Sequence, residues 1–345
     1  MKNRLIFSVF IMMFCFMSCK TTLIKAEKEK EMVYDATIAF GSCNKQDLEN
    51  KLWVEIVKNK PDLWIWGGDI VYADTDNMVK LKAEYDKLLA NEGYKKLKET
   101  TLITGTWDDH DYGLNDGGVE FHAKRGSEQL FLDFLGVSEN DKRRDQEGVY
   151  SSQVINTPKG KIKVIVLDTR YFRSALTKAR GSKKRYEPSV YGEGTILGEQ
   201  QWSWLEGELK SSEADFNIIV SSIQVLSAEH GFETWGNFPH EVDRLKLLIK
   251  DSKANGVVVL SGDRHISEFS KTKIKGVSFP LIDFTSSGLT HVYSGFTSEA
   301  NKNRILKVVP ELSFGVLKFN FERKTILMEM RGVNNILQQK LLQTY

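Results

Sequence analysis

The chain has 345 residues, of which 41% are apolar and 27% charged, an ordinary balance for a soluble globular protein of one large domain or two modest ones. Lys and Arg number 48 against 46 Asp and Glu, a formal net charge of +2. So even a balance gives no reason to expect a nucleic-acid partner.

Residues 1–18 read as a targeting segment. Lys2 and Arg4 give a basic start and residues 5–17 are almost wholly apolar. That run is shorter than the ~20 residues a spanning helix needs, and it fits the core of a signal peptide. Removing Lys2 and Arg4 with it leaves the remainder formally neutral. Cys19 stands where a bacterial lipobox places its lipidated cysteine, although Phe16-Met17-Ser18 departs from the usual pattern. The expectation is an exported lipoprotein, anchored by lipid at a periplasmic or outer-membrane face; ordinary secretion is the alternative. Residues 19–33 then form a polar tether and residues 34–345 the folded domain. Cys15 leaves with the leader and Cys19 carries lipid, so Cys43 is the one thiol of the folded body. A small buried apolar residue is one reading of it. Its place in a Gly41-Ser42-Cys43 turn favours a thiolate that serves as nucleophile or metal ligand.

From residue 34 onward strand-like and helix-like stretches alternate. Strands are expected at 36–40, 63–66, 102–106, 163–167, 216–221, 257–260 and 281–284, and a closing hairpin at 314–321 and 325–330. Helices are expected at 47–57, 77–89, 126–135, 199–209 and 241–249. In the second, Met78, Leu81, Tyr85, Leu88 and Leu89 share a face, which is the pattern of core packing. Residues 171–197 form a long irregular stretch holding Lys178, Arg180, Lys183, Lys184 and Arg185. A loop of that length is either functional or a solvated surface feature, and its charge suits an anionic substrate.

Four of the apolar runs end in small or turn-forming residues followed by Asp, His or Cys. They are Gly41-Ser42-Cys43, Gly67-Gly68-Asp69, Trp107-Asp108-Asp109-His110-Asp111 and Ser261-Gly262-Asp263-Arg264-His265. Ligands of α/β folds collect at such strand ends, so a shared rim of metal-binding side chains is expected. A carboxylate such as Asp69 can bridge two cations about 4 Å apart, which clamp both ends of an in-line displacement at phosphorus. Cys43 and Tyr72 suit iron or zinc, and oxygen donors such as Asp109 suit calcium, magnesium or manganese. Two unlike metals follow.

These blocks, with Leu167-Asp168-Thr169-Arg170, Asp283-Phe284-Thr285-Ser286-Ser287-Gly288 and the Phe314-Gly315 hairpin, resemble in order the alkaline phosphatase D (PhoD-like) branch of the calcineurin-like metallophosphatases. The resemblance runs from residue 34 to 332. It implies an αββα sandwich of two mixed sheets flanked by helices, and hydrolysis of phosphate mono- or diesters by a metal-activated hydroxide. Carried over by position, Asp69 bridges the metals, Cys43, Tyr72 and His265 hold a ferric ion, and Asp109 and Asp263 hold a second ion, calcium. Zinc, manganese and magnesium also fit. Gln224 is a further candidate for the second ion. His110 is implied as the catalytic group that stabilises charge or protonates the leaving oxygen. Arg264 and Arg170 are implied to grip phosphoryl oxygens, Arg170 having a structural ion pair with Asp168 as its alternative. Asn115-Asp116 reads chiefly as loop-ordering. A surface lipoprotein that binds metal or phosphate without turnover is the competing reading, and it has no need of His110. A carboxylate-pair glycosidase gives no reason for Cys43 or Tyr72.

Overall fold

The computed structural model describes residues 33–345, so the leader, Cys19 and most of the tether lie outside the described residues. In chain order the elements are β1 (Ala36–Gly41), α1 (Trp53–Lys58), β2 (Leu63–Gly67), α2 (Met78–Ala90), α3 (Glu92–Thr100), β3 (Leu102–Thr106), α4 (Asp109–Tyr112) and α5 (Lys124–Phe134). There follow β4 (Ser151–Thr157), β5 (Gly160–Val166), α6 (Gly198–Lys210), β6 (Phe216–Val220), α7 (Pro239–Ser252), β7 (Val257–Ser261), β8 (Ser267–Thr272) and β9 (Leu281–Ser286). The last are β10 (Arg304–Val309), β11 (Phe314–Asn320), β12 (Thr325–Arg331) and β13 (Leu337–Thr344). Among the described residues no helix is long and apolar enough to cross a membrane.

The strands build the two mixed sheets expected from the sequence. One has the order β13-β12-β11-β1-β2-β3 and the other β10-β8-β9-β7-β6-β5-β4. In the first, β1, β2 and β3 run parallel while β11, β12 and β13 alternate beyond β1. In the second, β5, β6, β7 and β9 run parallel, with antiparallel strands outside them.

Strands covered on both faces read as continuous apolar runs, and the two-residue period then sorts each residue to one layer. Ile38, Phe40, Leu63, Ile65, Val164, Val166, Ile218, Val220, Val258 and Leu260 meet between the sheets. Their neighbours Ala39, Trp64 and Trp66 face outward onto Trp53, Leu81, Tyr94 and Phe131 of α1, α2, α3 and α5. On the far side Ile165, Ile219, Val257 and Val259 meet Trp202 and Leu205 of α6 and Leu245 and Ile249 of α7. The result is helix, sheet, sheet, helix.

Parallel strands share a direction, so β1, β2, β3, β6 and β7 bring their C-terminal ends to one rim. There the sheets touch. Ser42 bridges Ser287 in parallel fashion, and a Cβ added to Gly262 would lie 2.5 Å from the carbonyl oxygen of Gly67. Only glycine permits that approach.

Candidate metal centre

The ends of β1, β2 and β7 turn sharply at residues with left-handed backbone. Cys43 has φ 60°, Asp69 51°, Asp263 68° and His265 54°, none of them glycine. Such conformations cost roughly 1–3 kcal/mol each and collect where function demands them. Here they direct four side chains of the expected set into one place. Gly68, φ 94°, precedes Asp69, and a Cβ there would meet the Cβ of Asp108 at 2.5 Å.

Two donor sets lie on either side of Asp69. Cys43, Asp69 and His265 each offer a ligand atom within 4.8 Å of the others, and so do Asp69, Asp109 and His110. The Oδ2 of Asp69 lies 3.3 Å from Cys43 Sγ and 3.1 Å from the Tyr72 hydroxyl, which is itself 3.2 Å from His265 Nε2. Its Oδ1 instead accepts the His110 backbone N–H at 3.4 Å. One oxygen therefore meets sulfur and phenol, with the imidazole beside the phenol, while the other meets the backbone of the segment that carries Asp109 and His110. The ligand atoms of a third group, Asp108, Asp109 and Asp263, also lie within 4.8 Å of one another.

The residues fit metal ions. Asp108 Oδ2 and Asp109 Oδ1 are buried without a hydrogen-bond partner, and bare buried carboxylate oxygens carry a desolvation cost that a cation removes. The titration behaviour agrees. Burial pushes the Cys43 thiol up to about 12. Burial, with the neighbouring acidic groups, drives Asp69, Tyr72 and Asp263 well above their ordinary values. Without added positive charge these groups stay protonated; a bound cation inverts that preference. Asp109 is the exception. Burial would raise it too, but Arg170, His110 and hydrogen bonds from Asp116 and Asn115 hold it below the usual carboxylate range.

His110 Nδ1 is 2.7 Å from Asp74 Oδ1, and its ring stacks on Tyr72 with centroids 4.1 Å apart. Burial alone would lower its pKa, but Asp74, Asp69 and Asp109 together raise it to about 10. Arg264 lines the same cavity, one of about 600 Å³ shared with His110, Asp263, His265, Arg185, Phe232 and Tyr293. Its Nη2 is held by Glu299 at 2.8 Å, its guanidinium lies over Phe232, and its buried Nε has no partner.

One residue sits differently from expectation. Arg170 is fully buried, its Nε on Asp108 at 2.6 Å and its Nη1 on Glu233 at 2.6 Å. With no solvent face and its donors engaged, it braces the floor from beneath and has no route to a substrate oxygen. Asp168 bonds its backbone N–H, not its guanidinium. The amide nitrogen of Gln224 turns to Glu268 at 2.7 Å and Thr285 at 2.9 Å, leaving its buried Oε1 free.

Sequence reasoning passed over Asp108, Asp74 and Ser287. Ser287 Oγ lies 3.0 Å from Cys43 Sγ and accepts the His265 N–H at 2.7 Å, so it ties both ends of the sulfur set. Asp108 stands beside Asp109 in the sequence, and Ser287 lies in the Thr285-Ser286-Ser287-Gly288 run. Asp74 carried no signal, because its pairing with a histidine 36 positions away is made only by the fold.

The comparisons with known proteins agree with this geometry. A 166-residue stretch is 32% identical to alkaline phosphatase D of Bacillus subtilis (strain 168), covering 43% of this chain and 28% of that protein. The chain thus spans well under two thirds of that relative. Among solved structures, the structure of PhoD superposes with a TM-score of 0.70 at 18% identity over 90% of this chain and 69% of that one. GAP50, the anchor in the inner membrane complex of Plasmodium, gives 0.59 at 13% identity over 90% and 89%. Both likenesses speak to the fold alone. The model of the PhoD-like phosphatase family matches residues 38–324, and with most of its length inside that match the chain belongs to the PhoD-like phosphatase family.

Proposed function

We infer that the chain is a phosphate-ester hydrolase working with two bound metal ions. The observation that carries this reading is the place of Asp69 between two donor groups, Cys43 with His265 on one side and Asp109 with His110 on the other. Cys43, Tyr72 and His265 would hold an iron or zinc ion, and Asp109 with Asp263 and Asp108 a calcium-, magnesium- or manganese-like one. When bound, the ions supply Lewis acidity to the phosphoryl group and to an attacking water.

The chain's own groups supply the rest. His110, fixed through Nδ1 by Asp74, keeps Nε2 to donate a proton toward the leaving ester oxygen. The Asp74 carboxylate on Nδ1 favours the protonated ring. The guanidinium of Arg264, which lines the cavity, would meet a phosphoryl oxygen entering it. Stacking on Tyr72 limits how far the imidazole can turn. A binder without turnover would not need this arrangement of His110. The leader-like residues 1–18 and Cys19 support an extracytoplasmic, lipid-anchored location.

Elemental analysis of the purified protein, run beside hydrolysis of aryl phosphate mono- and diesters, tests this reading. Two ions per chain and turnover of at least one ester class are expected. Metal-loaded protein inert toward both would overturn the enzyme assignment.

A further inference from the structure

We propose that the long loop of residues 171–197 serves as a clamp on the second metal site, with Tyr186 and Asp116 as positioning residues for Asp109. The proposal rests on the two-ion reading above.

The clamp begins at Asp109. Its Oδ2 accepts the Asn115 amide at 2.6 Å and the Asp116 backbone N–H at 2.7 Å. That leaves Oδ1 as the buried, partnerless oxygen. Both bonds require Asp116 to turn back on the short α4, and it does so with φ 50°, a strained conformation for a residue other than glycine. Something outside residues 109–116 must hold that turn.

The long loop provides it. The Tyr186 hydroxyl donates to Asp116 Oδ2 at 2.6 Å, and Arg185 Nη2 pairs with the same oxygen at 2.6 Å. Arg173, from the start of the loop, donates to the Asp116 carbonyl and pairs with Glu233 at 2.8 Å. Tyr186 is itself placed firmly. It bridges Lys178 across the loop, its N–H bonds the Gly231 carbonyl at 2.9 Å, and it is 5% exposed. The loop's tyrosine, the strained aspartate and the metal-facing carboxylate thus form one chain of contacts. Partners of this kind orient a ligand and set metal affinity, and losing one typically weakens binding about 10–100-fold.

Oxygen-rich sites select Ca²⁺ and thiolate–imidazole sites select Zn²⁺, so the two ions probe the two sets separately. Metal-stripped full-length protein is titrated calorimetrically with each, for wild type, Tyr186→Phe, Asp116→Asn and the exposed-loop control Lys183→Ala. The expected result is a Ca²⁺ Kd raised about 10-fold in Tyr186→Phe and Asp116→Asn, with Zn²⁺ affinity and thermal midpoint near wild type and Lys183→Ala unchanged. Wild-type Ca²⁺ affinity in both substituted proteins overturns the clamp while leaving the two-ion reading intact. Parallel loss of both affinities with a lowered thermal midpoint also overturns it, because that marks general destabilisation. Wild-type protein that takes up none of Ca²⁺, Mg²⁺ and Mn²⁺ removes the two-ion reading and the clamp with it.

Discussion

At the residue scale the site separates metal holding from proton transfer. His110 leans on Asp74 through a single ring nitrogen 2.7 Å away, and Asp69 meets its backbone, not its imidazole. Replacing His110 with Ala removes a proton donor while leaving Cys43, Asp69, Tyr72, Asp263 and His265 in place. Ester turnover should fall about 10²–10⁴-fold with metal content per chain close to wild type. Activity that survives this change would assign the acid elsewhere. Asp74→Ala frees the ring to rotate without deleting it, and the loss should be smaller, about 10-fold. Its side chain is about half exposed, so solvent replaces part of what the carboxylate provides. Comparing the pH–rate profiles of the two variants checks the order.

At the element scale one carboxylate holds the long loop's return to α6. Oε2 of Glu241, in the first turn of α7, accepts the Thr195 hydroxyl at 3.0 Å, the Ile196 N–H at 2.9 Å and the Trp202 indole at 2.8 Å. Glu241→Ala strands the last two donors in a buried place, at about 1–3 kcal/mol each. The urea midpoint should fall accordingly with an unchanged slope. Elements that carry their own signal were legible in the sequence. The parallel strands are apolar runs closed by Gly or Asp, and α2, α5 and α6 show a helical stripe. Four strands were not legible, for two reasons. β4, β10 and β13 are sheet edges made of SSQVINT, RILKVV and LQQKLLQT, whose outer faces are wet. In β8, a buried network in which Glu268 holds Arg304 and Gln224 replaces the usual apolar face. The helix expected at 47–57 starts late because Asn50 bonds the Leu52 N–H and the Asn44 side chain, which competes with the helical turn. α3 was passed over although Asn91 caps it, since the same residue closes α2. The site was legible where a side chain stands at a strand end. The bracing around it was not, because Arg170, Asp74 and Tyr186 meet their partners only through tertiary packing.

At the scale of the whole molecule, two sheets meeting at a rim concentrate acidic groups between them. Asp69, Asp108, Asp109, Asp111 and Asp263 are all drawn into that seam, where two apolar layers exclude water. In metal-stripped protein this has a definite pH signature. Burial raises Asp69 and Asp263 well above the ordinary carboxylate value, and burial also raises Asp111 from 3.8 to about 7. The folded state therefore keeps protons that the unfolded chain loses near pH 4. Stability depends on pH through the difference in bound protons between the two states, and more protons on the folded side means stability declines as pH rises. The stripped protein should be most stable below about pH 4 with respect to these groups, and should lose that contribution steadily as pH climbs through about 7. Metal ions reverse the sense, since they bind the deprotonated acids and bind them more tightly as protons leave. Thermal midpoints measured from pH 4 to 8 with chelator and with saturating Ca²⁺ plus Zn²⁺ should therefore diverge with increasing pH. The gap should be smallest at the acid end, and an excess of ion 100-fold over its Kd is worth about 2.7 kcal/mol at the basic end. Parallel curves would mean that the acids of the seam are stabilised by the protein alone, and the two sheets would then have been brought together for a purpose other than holding cations.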